Sequence, residues 1–379
     1  VRLTSLSLEQ FRSYAALSLT FPPKQAVHLF VGPNAAGKTN ILEALSVLGL
    51  TKSFQGADEG DLLHWDTEYY RVCANIESDD GSSESLEVVS QILPRKQKVC
   101  YRNDVKVSIG EMVGVLPIVQ FLPQDLDLFS GSPHQRRLFL DRLLSQVSLA
   151  YLRALAQMQE VLKQRNSLLR SIADGVAKPD DLAVWDDQFA SQAAQVTMQR
   201  LELIEVLQCT IAEELSALGE SFSDVKLVYH RKSEARDHSI LKAEIVALLL
   251  QARKRDIILQ STSVGPHRED WQLTIQGRPL PAFASRGQQR AAVLALNFLQ
   301  VSFLELRRGE KPVVLLDDVF SELDDKHQSA LLANLSDHQV FITATHVPTQ
   351  LHGAEVWKVE EGKVKSEAVK QYTSDTDFM

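Results

Sequence analysis

The stretch GPNAAGKT, running from Gly32 to Thr39, has the spacing of a loop that wraps phosphates, and it sits between an apolar run, VHLFV, and a segment with helical spacing. Glycines at both ends let the backbone curl until its N–H groups face an anion. The whole set Gly32, Pro33, Asn34, Ala35, Ala36, Gly37, Lys38, Thr39 and Asn40 is therefore expected to line a nucleotide. Lys38 would reach the β- and γ-phosphates and the Thr39 hydroxyl would ligate Mg²⁺, so ATP and Mg²⁺ are the expected cofactors.

A second element answers this loop from far downstream. In VVLLDDVFSELD four apolar residues read as a buried strand ending in two carboxylates. Asp317 is placed to hold Mg²⁺, and Asp318 to polarise an attacking water. An aspartate is one methylene shorter than a glutamate in that role, which suits slow turnover. His346, ending the next strand in FITATH, is placed to contact a γ-phosphate, and Gln124 in FLPQDL could reach the metal or the lytic water.

The third element is SRGQQ, beginning at Ser285 at the head of an apolar helix. Ser285, Gly287 and Gln288 offer a hydroxyl, an unhindered backbone N–H and an amide, the groups of an anion-reading helix end. A chain whose own loop already surrounds the triphosphate has no further anion for it. In a two-fold homodimer it would close over the ATP of the opposite chain, and nucleotide would then control association.

The elements needed to position these residues are legible from hydrophobic periodicity. Short strands open the chain, and hairpin signals recur from Tyr70 to about Val107. From Pro133 onward the pattern turns helical, breaks at Gly175 and Pro179, and returns with Ile204, Leu207, Ile211, Leu215 and Leu218 at helical steps. Strand and helix alternate again after the signature stretch. The expected fold class is α/β: a nucleotide-binding head, with a mixed phosphate-loop sheet and an antiparallel β-subdomain, interrupted by an inserted helical arm. The head is assigned to 1–130 and 260–379 and the arm to 131–259.

Composition bounds the function. The 379 residues are 44% hydrophobic and 23% charged, with formal net charge −9. No apolar run approaches a membrane span, and the N-terminal segment lacks the pattern of a secretory signal. Cys73, Cys100 and Cys209 stand far apart without a C-x-x-C pair, which disfavours a zinc site. A cytoplasmic location is the expectation. Basic clusters punctuate the acidic whole: PRKQK, HQRR with Arg136 and Arg137, HRKSEAR, and ARKRD with Arg253, Lys254 and Arg255. Grouped around a dimer groove, such clusters would track DNA phosphates, with six to ten contacts costing ~10³ to 10⁵ in affinity between 50 and 200 mM salt.

In this order, GPNAAGKT, SRGQQ, LLDDVFSELD and ATH resemble the ABC-type ATPase head of transporters, SMC proteins and repair ATPases. LEQFRSY, TKSFQG, GSPHQRRLFLD and VGPHRED narrow the resemblance to the RecF family of recombination mediators, over nearly the whole chain. That resemblance implies an SMC-like head with a short arm, ATP-dependent dimerisation and weak hydrolysis of ATP to ADP and phosphate. It also implies action on single-stranded and duplex DNA at gap junctions with a RecR-type partner, in a cytoplasmic, nucleoid-associated setting. It places Arg12 near the nucleotide and makes Ser321 to Asp324 the D-loop. Ala284 stands where the wider class has a leucine-like residue. A transporter ATPase subunit or another SMC-like repair ATPase is the rival. About 250 residues between phosphate loop and signature are too few for an SMC coiled coil and include a longer arm than a transporter subunit carries.

Overall fold

A computed structural model describes residues 1–348, 351 and 353–367. The chain divides into two compact units, residues 1–123 with 301–379 and residues 124–300. The first begins with β1 (Arg2–Phe11), β2 (Tyr14–Thr20) and β3 (Val27–Val31), followed by α1 (Lys38–Leu50). Next come β4 (Tyr69–Glu77), β5 (Ser83–Gln91), β6 (Gln97–Arg102), β7 (Val105–Val107), α2 (Ile109–Met112) and β8 (Ile118–Phe121). In the second unit lie α3 (Pro133–Val147), α4 (Leu149–Ala173), α5 (Leu182–Ala217), β9 (Val225–His230), α6 (His238–Leu259), β10 (Asp270–Ile275) and β11 (Arg278–Pro279). Helix α7 (Arg286–Arg308) spans the second division. The chain then returns to the first unit with β12 (Val313–Asp317), α8 (Asp325–Asn334), β13 (Val340–Ala344), β14 (Glu355–Glu360) and β15 (Lys363–Glu367).

Two sheets build the first unit. One is antiparallel, in the order β2-β1-β4-β5-β6-β7; the other is mixed, β15-β14-β3-β13-β12-β8. Five strands of the mixed sheet run parallel and β15 alone is antiparallel. Its central strands are apolar along their whole length because both faces are covered: all five residues of β12 and of β13 are buried. Helix α1 is buried almost end to end, with Ile41, Leu42, Leu45 and Leu48 joining residues from both sheets in one core. Gln339 fastens the sheets together through its side-chain amide, accepting from Leu3 N (2.7 Å) and donating to Leu3 O (2.9 Å).

The second unit packs α4, α5 and α6 against one another and adds the three-stranded sheet β11-β10-β9. The helical stretch from Pro133 to about Gly175, read from the sequence as one helix or two, is two helices. Ser148 breaks it and accepts from Tyr151 N to start α4. Buried charge holds the unit together. Arg165, wholly buried, pairs with Asp186 at 2.8 Å and Asp256 at 2.9 Å. Arg200 pairs with Asp141 at 2.7 Å. The edge of β9 is met by one side chain: Gln208 of α5 donates to Val225 O (2.9 Å) and accepts from Leu227 N (2.6 Å).

The division differs from the assignment of 260–379 to the head. Residues 260–300 belong with the arm because β10 pairs with β9 along six residues and Arg136 of α3 grips Asp270 at its start. The signature stretch therefore lies in the arm's unit.

Candidate nucleotide site and signature

Parallel strands bring β3, β12 and β13 to one edge with their carboxyl ends together, where such sheets bind ligands. Strand β13 lies between the other two, and it supplies the residue that ties them. The Thr343 hydroxyl donates to Asp317 Oδ1 at 2.7 Å, and the same oxygen accepts from Thr39 Oγ1 at 2.8 Å. Asp318 N donates to Thr343 Oγ1 at 2.9 Å. Thr343 thus fixes the Asp317 carboxylate and the backbone of Asp318 relative to the phosphate loop. Asp318 takes a left-handed backbone (φ 50°) and is half-buried, so the chain turns sharply just after Asp317.

Asp317 is 8% exposed, and burial raises its carboxyl above the usual range, partly opposed by the hydrogen bonds from Thr343 and Thr39. A hydroxyl and a carboxylate 2.8 Å apart are hard oxygens of the kind Mg²⁺ takes from a protein while phosphates and water complete its octahedron. The donor set fits the metal, and Thr39 with Asp317 would hold it. Lys38 is 7% exposed; burial lowers its pKa, with Asp318 and then Asp317 opposing. Its ammonium donates to Gly32 O (2.7 Å) and Pro33 O (2.8 Å), which keeps the charge inside the curl of the loop.

The loop's glycines are dictated by their surroundings. A Cβ on Gly32 would stand 2.1 Å from Val359 O of β14. Gly37, at φ +105°, would meet the Ser13 hydroxyl at 2.7 Å and the Tyr14 hydroxyl at 2.9 Å. The turn between β1 and β2 is what crowds it. Tyr14 donates to Gly37 O at 3.0 Å, and Asn40 donates to Ser13 at 2.9 Å. Arg12, in the same turn, spends its guanidinium on the buried Glu43 of α1 (2.7 and 2.8 Å) and on Asp61 O (2.8 Å). In this structure it buttresses the loop through α1. The side chains of Pro33, Asn34 and Ala35 face solvent, and Ala36 is buried.

His346 is exposed two residues beyond β13. Gln124 is exposed on the turn Pro123–Asp127 after β8, where the chain enters the second unit. In the D-loop, Ser321 donates to Asp318 O at 2.7 Å and Asp324 caps α8 by accepting from His327 N at 2.9 Å.

The signature is a reciprocal cap. Ser285 Oγ accepts from Gln288 N (3.2 Å), while Gln288 Oε1 accepts from Ser285 N (3.0 Å). Ser285, Arg286 and Gly287 are exposed. Gly287 contrasts with the loop glycines: the nearest atom to a Cβ there is Ser285 Oγ at 3.9 Å, and its φ is not positive.

The basic clusters require correction. Arg136 is buried and fully engaged, paired with both oxygens of Asp270 (2.7 and 2.8 Å) and donating to three carbonyls of residues 128–131. Arg253 pairs with the buried Asp186 at 3.2 Å, and Arg137 donates to Glu269 O at 2.8 Å. These three hold the unit together. Lys254 and Arg255 of α6 are exposed.

Residues 2–366 match the family described as RecF/RecN/SMC N terminal domain. A DNA replication and repair protein RecF from Heliobacterium modesticaldum is 34% identical over 374 residues, covering 96% of this chain and 99% of that one. The chain belongs to the RecF family. A solved structure described as the recombination mediator protein RecF-ATPrS in the RecFOR pathway superposes with TM-score 0.88 at 32% identity, covering 97% and 98% of the two chains. An SmcHead bound to the C-winged helix domain of ScpA, at 14% identity and TM-score 0.55, shares the fold. The expected class, an ABC-type ATPase head with an antiparallel subdomain and a helical arm, is the one this family has. Among the described residues no helix is long and apolar enough to cross a membrane.

Proposed function

We propose that this chain is an ATP-gated, DNA-binding switch of recombinational repair. ATP and Mg²⁺ are held by Gly32 to Asn40 with Thr39 and Asp317, and the Ser285–Gly287–Gln288 cap reads the γ-phosphate bound to a second copy of the chain. The carrying observation is Gly287. Its own fold does not use the missing side chain, whereas a phosphate oxygen reaching the helix N-terminus would. Asp318 acts as the base of a slow hydrolysis, with His346 beside the γ-phosphate and Gln124 at the metal or the lytic water. The assembled dimer grips duplex DNA beside a single-strand gap, and a RecR-type partner joins it there, in the cytoplasm at the nucleoid.

Sedimentation with ATP tests the assignment. Ser285→Arg should remain a nucleotide-bound monomer while the parent chain dimerises; a normal dimer of Ser285→Arg would refute it. On the DNA side, Lys254 and Arg255 are the exposed cations among Arg136, Arg137, Arg253, Lys254 and Arg255. Two contacts per chain, four per dimer, give a salt slope near ~−3.6, so affinity should fall only about a hundredfold between 50 and 200 mM salt. A loss of ten-thousandfold would show that other cations make most of the contacts.

A further inference from the structure

The signature cap is not closed on itself. Gln288 has an amide with two ends, and only its oxygen is spent on Ser285 N. Its nitrogen donates to Glu220 Oε2 at 3.1 Å. Glu220 lies immediately beyond the arm's longest helix, α5, and its position there is set by backbone bonding. Helix α5 ends through Leu218 into Gly219, whose left-handed backbone (φ +88°) reverses the chain. Gly219 N donates to Ser216 O and Glu220 N to Leu215 O, both at 2.9 Å. The backbone of Glu220 is therefore fixed on the last turn of α5, and its carboxylate meets Gln288 from there. It holds an amide that in turn holds the signature serine.

We infer that Glu220 is a positioning residue for the signature: it fixes the Gln288 amide with its oxygen toward Ser285 N, and so ties the geometry of the phosphate-reading helix end to the end of arm helix α5. The inference rests on the reading of Ser285–Gly287–Gln288 as the element that closes over a second chain's nucleotide. Without the carboxylate the Gln288 side chain is free to turn, and the bond it makes to Ser285 N is shared with other rotamers and with water. A carboxylate acceptor strengthens this bond relative to one with a neutral acceptor, because hydrogen bonds to charged groups exceed neutral ones. Any ligand of the arm that shifts the last turn of α5 reaches the signature through two hydrogen bonds.

The test compares Glu220→Ala with Glu220→Gln in the full chain. Binding of a fluorescent ATP analogue reports the phosphate loop, and sedimentation with a slowly hydrolysed ATP analogue reports association. Glu220→Ala should leave analogue affinity unchanged and weaken nucleotide-dependent dimerisation about tenfold, the factor carried by one hydrogen bond to a charged group. Glu220→Gln, which still offers an acceptor to Gln288 Nε2, should recover most of that loss. A purely structural role would lower the melting temperature without separating binding from association. Dimerisation of Glu220→Ala at the parent level overturns the inference, as does a failure of Glu220→Gln to recover at an unchanged melting temperature. Ser285→Arg is the control that keeps the two readings apart. If it blocks the dimer and Glu220→Ala does not, the signature assignment stands and the role of Glu220 falls; if Ser285→Arg dimerises normally, the signature assignment itself fails.

Discussion

The phosphate loop and the signature are both glycine-bearing helix starts, yet their glycines answer to different neighbours. Gly32 and Gly37 are forced by atoms of the same chain, the Val359 carbonyl and the Ser13–Tyr14 turn. Gly287 has open space around the position of a side chain. A helix-start glycine that the fold does not require lowers stability relative to alanine. The loop is thus completed from within, whereas the signature keeps open space that its own fold does not fill. On the function proposed above, one motif is finished by folding and the other by assembly.

Substitutions can break this contrast. The largest effect belongs to Gly32→Ala, whose new methyl would press on a backbone oxygen that cannot rotate away. It should destabilise the chain by about 3 kcal/mol or more, seen as a melting temperature lower by roughly 5–10 °C. A variant melting like the parent would remove the argument that the loop is packed from within. Next comes Asp317→Asn. The asparagine oxygen can still accept from Thr39 and Thr343, so the fold keeps its bonds and loses a buried charge. Because the folded pKa of Asp317 is raised, the native state holds its proton more tightly than the unfolded chain, and this contribution falls as pH rises through the folded pKa. In denaturant melts without nucleotide, Asp317→Asn should therefore gain on the parent as pH rises from below the ordinary aspartate pKa through the raised folded one, while losing Mg²⁺-dependent nucleotide binding. A gap that narrows with pH would contradict the sign. The smallest and most discriminating change is Gly287→Ala. Its monomer should be unchanged or more stable by up to about 1 kcal/mol, with nucleotide-dependent dimerisation weakened. Destabilisation of the monomer would show that the glycine serves its own fold after all.

Much of this site was legible in the sequence because its residues are local. GPNAAGKT, SRGQQ and LLDD each carry their chemistry within a dozen positions, and apolar periodicity supplies the strand or helix beside them. What escaped depends on contacts across the chain. Thr343 reads as an ordinary strand threonine in FITATH, and only the placement of β13 between β3 and β12 puts it on Asp317. The carbonyl that selects Gly32 has no side-chain signature at all. Charge is visible in a sequence but its partners are not: Arg136 and Arg253 read as a DNA face, whereas their partners Asp270 and Asp186 lie 134 and 67 positions away. Strand β9 was missed between two strong helical stretches, although VKLVYH has the expected alternation. That omission moved the signature into the wrong unit, since β9 is what carries β10 into the arm.

The single amide of Gln208 has a consequence for handling as well as for architecture. Strand β9 is an edge, and an edge strand offers its unused N–H and C=O groups to any other chain that can lie alongside. Gln208 imitates one rung of such a neighbour from within the molecule, occupying Val225 O and Leu227 N together. That leaves one rung fewer for a second chain to pair with indiscriminately. Resistance to edge-to-edge association under concentrated conditions therefore rests in part on one glutamine side chain.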